Sequence, residues 1–178
     1  MNTSSARMLV LAGEHFACVK IIGRANFTSS IDFKTLIGEL RQKAYTYFVL
    51  DLSECALMDS TFLGVLAGFG LKLGGTNAPG TAPIELLNPN PRISELLENL
   101  GVIHLFKVTE GTSHFPDGAE PCSVAPGSSP NREQVAEACL EAHRTLMELN
   151  PANVSRFKDV TQFLAEDLKR LKAEKSAP

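Results

Sequence analysis

The sequence predicts an α/β domain, built from a mixed β-sheet with helices packed against it, followed by a C-terminal helical hairpin. Residues 8–108 alternate between short β-favouring runs and segments whose apolar residues recur at helical spacing. Such alternation after an initial β-hairpin is typical of a mixed sheet covered by helices. Residues 109–130 have no apolar period and are rich in Gly, Pro and Ser, so we expect a flexible linker there. Residues 131–174 return to helical spacing and form the predicted hairpin.

The first predicted elements are two strands and a helix. Residues 8–12 and 15–22 are β-favouring and flank Gly13-Glu14, a pair that suits a hairpin turn. Residues 28–30, Thr-Ser-Ser, are candidate N-caps of the helix that follows. The buried face of this helix is predicted from apolar residues at helical spacing: Phe33, Leu36, Ile37 and Leu40.

A strand and a second helix follow in the middle of the domain. Residues 47–52 form an almost unbroken apolar run, which favours a central strand covered on both faces. The helix is predicted over residues 61–73 and would end at Gly74-Gly75. Its inward residues are predicted to be Leu63, Leu66, Ala67 and Leu71.

A short buried strand at residues 84–87 precedes the third helix, whose ends are clearly marked. Asn90 is a strong N-cap candidate, and Pro91 suits the first helical position. Gly101 lies where a left-handed residue commonly follows a helix end. Residues 105–108 are the predicted last strand of the domain. The buried face of the third helix is predicted to comprise Ile93, Leu96, Leu97 and Leu100.

The predicted C-terminal hairpin opens at Ser129-Pro130, and Asn150-Pro151 breaks it into two helices. Its apolar residues are Val135, Ala138, Cys139, Ala142, Leu146 and Leu149 on the first helix, and Phe157, Val160, Leu164, Leu168 and Leu171 on the second. An amphipathic hairpin with balanced charges must bury its apolar stripe against another surface. The sequence leaves open whether that surface is its own domain, a second copy of the chain in a homodimer, or a separate partner.

Composition limits the classes of function. The 178 residues contain 17 basic and 20 acidic side chains, so the net charge of −3 argues against direct nucleic-acid binding through overall charge. No apolar run approaches the roughly 20 residues that cross a bilayer. Residues 1–7 are polar and the apolar stretch at 8–12 is too short for a secretory signal, so we expect a cytoplasmic protein without membrane insertion. The four cysteines are scattered and are expected to be reduced.

The most informative segment is VLDLSECALMDSTFLGV, residues 49–65. A buried strand leads through a short loop to a helix start, where either Asp59 or Ser60 can accept a hydrogen bond from a backbone N–H. The first amides of a helix have no intrahelical partner, and the helix dipole favours negative charge there. A phosphoryl group on Ser60 would fit this position and would add about −1.5 to −2 charges beside Asp59. A cap without any phosphorylation is the alternative, because Asp-Ser commonly precedes a helix.

The arrangement of residues 8–108 resembles the STAS domain, the fold of bacterial anti-sigma-factor antagonists. The matching features are the early hairpin, Gly23 after the second strand, VLDLS as the central strand, and ELLNPNPRISELLENLGVIHLF at the end. The signature of the family is Asp-Ser, then Ser or Thr, then Gly-Leu-Gly. Its places are occupied here by Asp59, Ser60, Thr61, Leu63 and Gly64.

The resemblance implies a binding module rather than an enzyme, without cofactor. In such antagonists the partner is an anti-sigma factor that is also a serine kinase. The unphosphorylated antagonist binds it and frees the sigma factor, and phosphorylation breaks the complex. By this resemblance Ser60 is the phosphoacceptor, while Asp59 and Thr61 shape the partner-binding surface around it.

Two departures from the family pattern enlarge the predicted partner surface. Phe62 stands where the family usually has glycine, which places a bulky ring beside the acceptor, where it would either block kinase access or form part of an altered interface. Gly-Arg-Ala-Asn at residues 23–26 replaces a common Gly-Glu-Leu-Asp, so Arg24 and Asn26 join the candidate partner-binding residues, and Arg24 could pair with a phosphate or with Asp59. The alternative function is an adaptor that docks a transporter or signalling complex without phosphorylation. Phe62 would then be its apolar anchor.

Other constellations are weaker. Ser60 lacks the GxSxG elbow of a hydrolase nucleophile, and no sequence feature supplies its base. The four histidines, at positions 15, 104, 114 and 143, show no metal-ligand spacing, so we expect no metal site. His143 could be imagined as a phosphotransfer residue, but an ordinary surface or interface histidine is the favoured interpretation. The glycines of residues 68–80 form no nucleotide-binding loop.

Overall fold

The structure is a computed structural model and describes residues 5–74, 82–112, 120–127 and 129–177. Its elements in the first half are β1 (Arg7–Ala12), β2 (Phe16–Ala25), α1 (Phe27–Gln42), β3 (Tyr47–Asp51), β4 (Cys55–Met58) and α2 (Ser60–Gly74). Those in the second half are β5 (Ile84–Leu87), α3 (Pro91–Asn99), β6 (Lys107–Thr109), β7 (Cys122–Ser123), α4 (Arg132–Leu149) and α5 (Val154–Ser176). One-turn 3-10 helices lie at Ile103–Leu105 and Pro151–Asn153.

The strands form one mixed sheet in the order β6-β5-β3-β2-β1-β7, and β4 pairs with the far end of β2. Strands β2, β3, β5 and β6 are parallel, whereas β1 is antiparallel to both of its neighbours. This arrangement, with helices packed on the sheet and a C-terminal helical pair, confirms the predicted fold class.

The core lies on one face of the sheet, under α1 and α2. Strand β3 turns Phe48 and Leu50 into this core, and both are almost fully buried. Tyr47 and Val49, on the opposite face, are only half-buried. The central position of this strand was predicted correctly. Only one of its faces is fully buried, however, and the other is partly exposed.

Several element ends differ from the sequence prediction. α1 begins one turn earlier, because Asn26 rather than residues 28–30 caps it. β4 was not predicted; it is four residues long and pairs with β2 past an irregularity after Gly23. The last strand is displaced toward residue 109, because a 3-10 turn occupies Ile103–Leu105. Gly75, the second residue of the pair predicted to end the second helix, lies outside the described residues.

The third helix agrees closely with the sequence. The Asn90 side chain accepts a hydrogen bond from the amide of Ile93 at 3.0 Å, and Pro91 occupies the first helical position. Gly101 has a φ of 69°, the left-handed conformation that glycine adopts at low cost. These signals act within a few residues, which is why the sequence alone predicts them.

Part of the predicted linker pairs with the sheet. Strand β7 lies along the outer edge of β1, with Leu9 opposite Ser123, and the amide of Val124 donates to the Met8 carbonyl at 3.0 Å. The amide of Gly127 donates to the carboxylate of Asp32 in α1. The free backbone groups of an edge strand offer such pairing even to a segment without apolar period. Residues 113–119 and 128 of the predicted linker lie outside the described residues.

The C-terminal hairpin, formed by α4, α5 and the turn between them, packs on its own domain, one of the alternatives that the sequence left open. α4 lies against α1 and α2 on one side and against α5 on the other. Its N-cap is Asn131, two residues after Ser129 of the predicted start, and the Asn131 side chain forms a capping box with Gln134. In the described ranges, no helix carries an apolar stretch sufficient to span a membrane.

Candidate functional site

Asp59 connects the entries of α1 and α2. Its Oδ1 accepts a hydrogen bond from the amide of Phe62 at 2.8 Å, so Asp59 rather than Ser60 caps α2. Its Oδ2 accepts from the amide of Phe27 at 2.8 Å. Because both carboxylate oxygens accept from backbone donors, this side chain fixes the helix entries relative to each other.

Asn26 and Arg24 occupy the neighbouring end of β2. Asn26 accepts from the amide of Ser29 at 3.1 Å and caps α1, so its side-chain oxygen has a structural partner. Arg24 is exposed and, within the described part of the chain, makes no ion pair with Asp59. Whether either residue contacts a partner protein remains a prediction.

Phe62 lies in the core, which overturns its predicted exposure to a partner. Its side chain is 0% exposed and its ring packs against Phe33 with the centroids 4.9 Å apart. Two positions along a helix rotate the side chain by about 200°, so residue 62 points away from the side that Ser60 occupies. The aromatic ring therefore neither obstructs Ser60 nor anchors a partner.

Ser60, the first residue of α2, is half-buried and contacts the C-terminal hairpin. Its Oγ lies 2.9 Å from Nε2 of His143 on α4, at hydrogen-bond distance. His143 is only 7% exposed, and its ring packs against Phe157 of α5 with the centroids 4.7 Å apart. The candidate acceptor hydroxyl is therefore covered by a residue that lies 83 positions later.

Burial keeps the His143 imidazole neutral. Desolvation lowers its pKa below the ordinary value, against the opposing effects of the Cys139 backbone and the Asp59 charge. The contact with Ser60 is thus a hydrogen bond between two neutral groups near neutral pH. The tautomer of the ring decides which of the two donates.

Other residues in the first two turns of α2 also contact α4. Thr61 is buried, and its hydroxyl donates to the Cys139 thiol at 3.5 Å. At Gly64 an added Cβ would lie 2.5 Å from the Ala142 carbonyl oxygen, so only glycine allows this approach. We call the side of α2 that carries Ser60, Thr61, Gly64 and Gly68 the α2 face; α4 covers it.

The sequence interpretation missed the pairing of Ser60 with His143. His143 follows Cys139 by four residues and precedes Leu146 by three, so it lies on the predicted apolar stripe of its helix. That position indicated a packed histidine. Nothing in the sequence indicated which surface the stripe covers.

The remaining candidates form no second site. His15 and His104 are exposed, and His114 lies outside the described residues. In the part of the chain that is described, no group of three His, Cys, Asp or Glu side chains is arranged to hold a metal ion.

The comparison with protein families agrees with this geometry. The model of the STAS domain matches residues 8–114, more than half of the chain. The chain belongs to the STAS domain family. The match includes β6 and ends before α4, so the helix that covers Ser60 lies outside the STAS domain as the family defines it.

The chain is also similar to several solved structures. A Thermotoga maritima protein, described as a candidate anti-sigma factor antagonist, is 19% identical, with a TM-score of 0.50 over 58% of this chain and 85% of its own. The phosphorylated form of the Bacillus cell fate determinant SpoIIAA is 19% identical, with a TM-score of 0.49 over 60% and 92%. An anti-sigma factor antagonist from Mycobacterium paratuberculosis is 18% identical, with a TM-score of 0.48 over 58% and 85%. No curated protein matches the chain.

Proposed function

We propose that this chain is a regulatory protein-binding module of the anti-sigma-factor-antagonist kind, switched by phosphorylation of Ser60. The observation that carries the proposal is the position of Ser60 as the first residue of α2, directly after the capping Asp59. The proposed partner is an anti-sigma factor with serine kinase activity, which docks around the start of α2.

Helix geometry explains why a phosphoryl group at this position would be effective. The first amides of α2 have no carbonyl partner within the helix, and the dipole there favours an anion. Phosphorylation would transfer the γ-phosphoryl group of ATP to Ser60 Oγ, with release of ADP and of the hydroxyl proton, and would add about −1.5 to −2 charges. Because the Asp59 carboxylate already carries a negative charge beside it, the modified surface would repel an acidic partner.

The adaptor alternative loses the residue on which it depended. Its apolar anchor was Phe62, which is fully buried and packs on Phe33. Phe27 is exposed and its amide donates to Asp59 beside Ser60, but the adaptor alternative named no anchor other than Phe62. We therefore retain the phosphorylation switch as the proposed function.

Replacing Ser60 by Asp tests this proposal. The full chain, Ser60→Asp and the control Ser94→Asp are used to isolate partners from the native cells, and bound proteins are quantified by mass spectrometry. We expect a protein with a kinase-type ATP-binding domain to bind the wild type and Ser94→Asp, and to lose most of its binding to Ser60→Asp. Phosphate on Ser60 of the native protein is the second expected result. Equal recovery with both variants, or phosphate confined to other residues, would contradict the switch.

A further inference from the structure

The α2 face, on which the proposed function depends, is occupied by the chain itself. Ser60 contacts His143, Thr61 contacts Cys139, and Gly64 lies against Ala142. These contacts place α4 along the first two turns of α2, where a kinase or a docking partner would have to bind.

The side of Ser60 that faces α4 has no free space for a phosphoryl group in this arrangement. Only 2.9 Å separates Ser60 Oγ from Nε2 of the buried His143. A phosphoryl group on this side would have to occupy the volume that the imidazole fills. Phosphorylation of Ser60 would therefore disturb its present contact with His143.

The C-terminal hairpin has contacts of its own between α4 and α5, in addition to the packing of α4 on α1 and α2. Ala136 and Leu140 of α4 form a small apolar cluster with Leu168 of α5, separate from the main core. Ion pairs between α4 and α5 add to it: Arg132 with Asp167, Lys172 with Glu137, and Lys175 with Glu133. Among the described residues, one ion pair joins the hairpin to the domain, Lys34 with Glu141 at 2.6 Å. These contacts join α4 to α5 without a contribution from the domain.

The other end of the hairpin is anchored firmly. Asn153, in the turn between α4 and α5, is fully buried and donates to the carbonyls of Leu100 and Leu146, both at 2.9 Å. Leu146 belongs to the main core. The anchored end lies beside the end of α3, whereas the opposite part of α4, around Cys139 and His143, covers Ser60.

We propose that the C-terminal hairpin is an autoinhibitory lid, anchored at its turn and detachable at the part that covers Ser60. In the closed state it blocks the α2 face, and a partner or kinase can reach the Ser60 side chain only after α4 moves away. The proposal rests on the proposed function of Ser60 and adds its regulation. A partner that docks here competes with α4 for the same side of α2.

Two variants with opposite effects test the lid. Ala142→Glu places a charge against Gly64 and is expected to open the hairpin, and Arg144→Glu introduces the same residue at an exposed position of α4 as the control. The double variant Gly68→Cys with Thr145→Cys joins α2 to α4, because a Cβ at residue 68 lies 3.9 Å from the Thr145 methyl group. Oxidised glutathione closes this disulfide, dithiothreitol opens it, and peptide mapping identifies it.

The first measurement is the rate at which iodoacetamide labels Cys139 in the full chain, resolved by peptide mass spectrometry. Cys139 lies between α2 and α4, whereas Cys18 and Cys55 are core residues that report global unfolding. We expect Ala142→Glu to label Cys139 more than about tenfold faster than wild type, and the closed disulfide to slow it by a similar factor. If neither Ala142→Glu nor the disulfide changes the labelling rate of Cys139, the lid proposal is wrong.

The second measurement is phosphate on Ser60 after incubation of the full chain with native-cell lysate and ATP. We expect faster phosphorylation of Ala142→Glu, wild-type rates for Arg144→Glu, and block of the disulfide form until it is reduced. Equal phosphorylation of the oxidised and reduced forms would overturn the lid and leave the switch intact. If Cys139 labelling responds as expected but no form is phosphorylated on Ser60, the hairpin is detachable and the proposed function is wrong.

Discussion

Gly64→Ala tests how closely α2 and α4 approach each other. A Cβ at this position would lie 2.5 Å from the Ala142 carbonyl oxygen and 2.7 Å from the Ala142 Cβ, distances that real contacts do not show. The helices must therefore separate locally, and overpacking of this kind costs about 1 to 3 kcal/mol. The same substitution favours the α2 helix itself by about 1 kcal/mol, because alanine has the higher helix propensity.

These two contributions act on different equilibria. The helix propensity stabilises α2 whether the hairpin is closed or open, so it affects global unfolding but not the opening of the hairpin. The overpacking affects only the closed state, so opening should become about 5- to 150-fold more favourable. The net effect on the free energy of global unfolding should lie between almost no change and a loss of about 2 kcal/mol.

Two assays separate the equilibria. Urea unfolding gives the global free energy, and iodoacetamide labelling of Cys139 reports opening, because burial raises the pKa of this thiol and slows its reaction in the closed state. Gly38→Ala is the matched control: it lies within α1, and an added Cβ there meets nothing within 4 Å. The control should gain about 0.5 to 1 kcal/mol in stability without faster labelling. If Gly64→Ala behaves like Gly38→Ala in both assays, the close approach of α2 and α4 is wrong.

Two further predictions concern the groups around Ser60. Because burial lowers the pKa of His143 in the folded state, the unfolded chain binds more protons, and the unfolding free energy should fall as the pH drops below about 6.5 toward the lower folded pKa. His143→Gln keeps a hydrogen-bonding group near Ser60 and should flatten this dependence in urea titrations across pH, whereas the exposed control His104→Gln should keep the wild-type slope. Asp59→Ala removes the acceptor of two backbone amides and should lower the unfolding free energy by about 1 to 3 kcal/mol. A loss no larger than that of the exposed control Asp159→Ala would show that the carboxylate does not hold the two helix entries.

Helix caps and helix breakers depend on residues within one or two helical turns, so the sequence alone predicts them. Asn90, Pro91 and Gly101 mark the ends of the third helix, and the structure gives each its expected conformation. Asn150-Pro151 breaks the hairpin at the residue expected. Asp59 and Ser60 lie at the start of α2, and the choice of Asp59 as the cap follows from which oxygen meets the amide of residue 62.

The direction of Phe62 follows from helical geometry and not from its nearness to Ser60 in sequence. Two positions along the helix turn its ring away from Ser60, toward Phe33 and the core. β4 illustrates a different difficulty. Its four residues carry little periodicity, and its pairing depends on the irregular end of β2.

The sequence by itself determined the order of elements, the helix caps and the presence of a hydroxyl at the start of α2, because propensity, capping and apolar periodicity depend on neighbouring residues. Only the tertiary structure decided that α4 covers this hydroxyl. An apolar stripe specifies that a helix must be buried and leaves the surface unspecified. The surface is selected by fit between distant segments, here the space left by Gly64 for Ala142 and the polar match of Ser60 with His143.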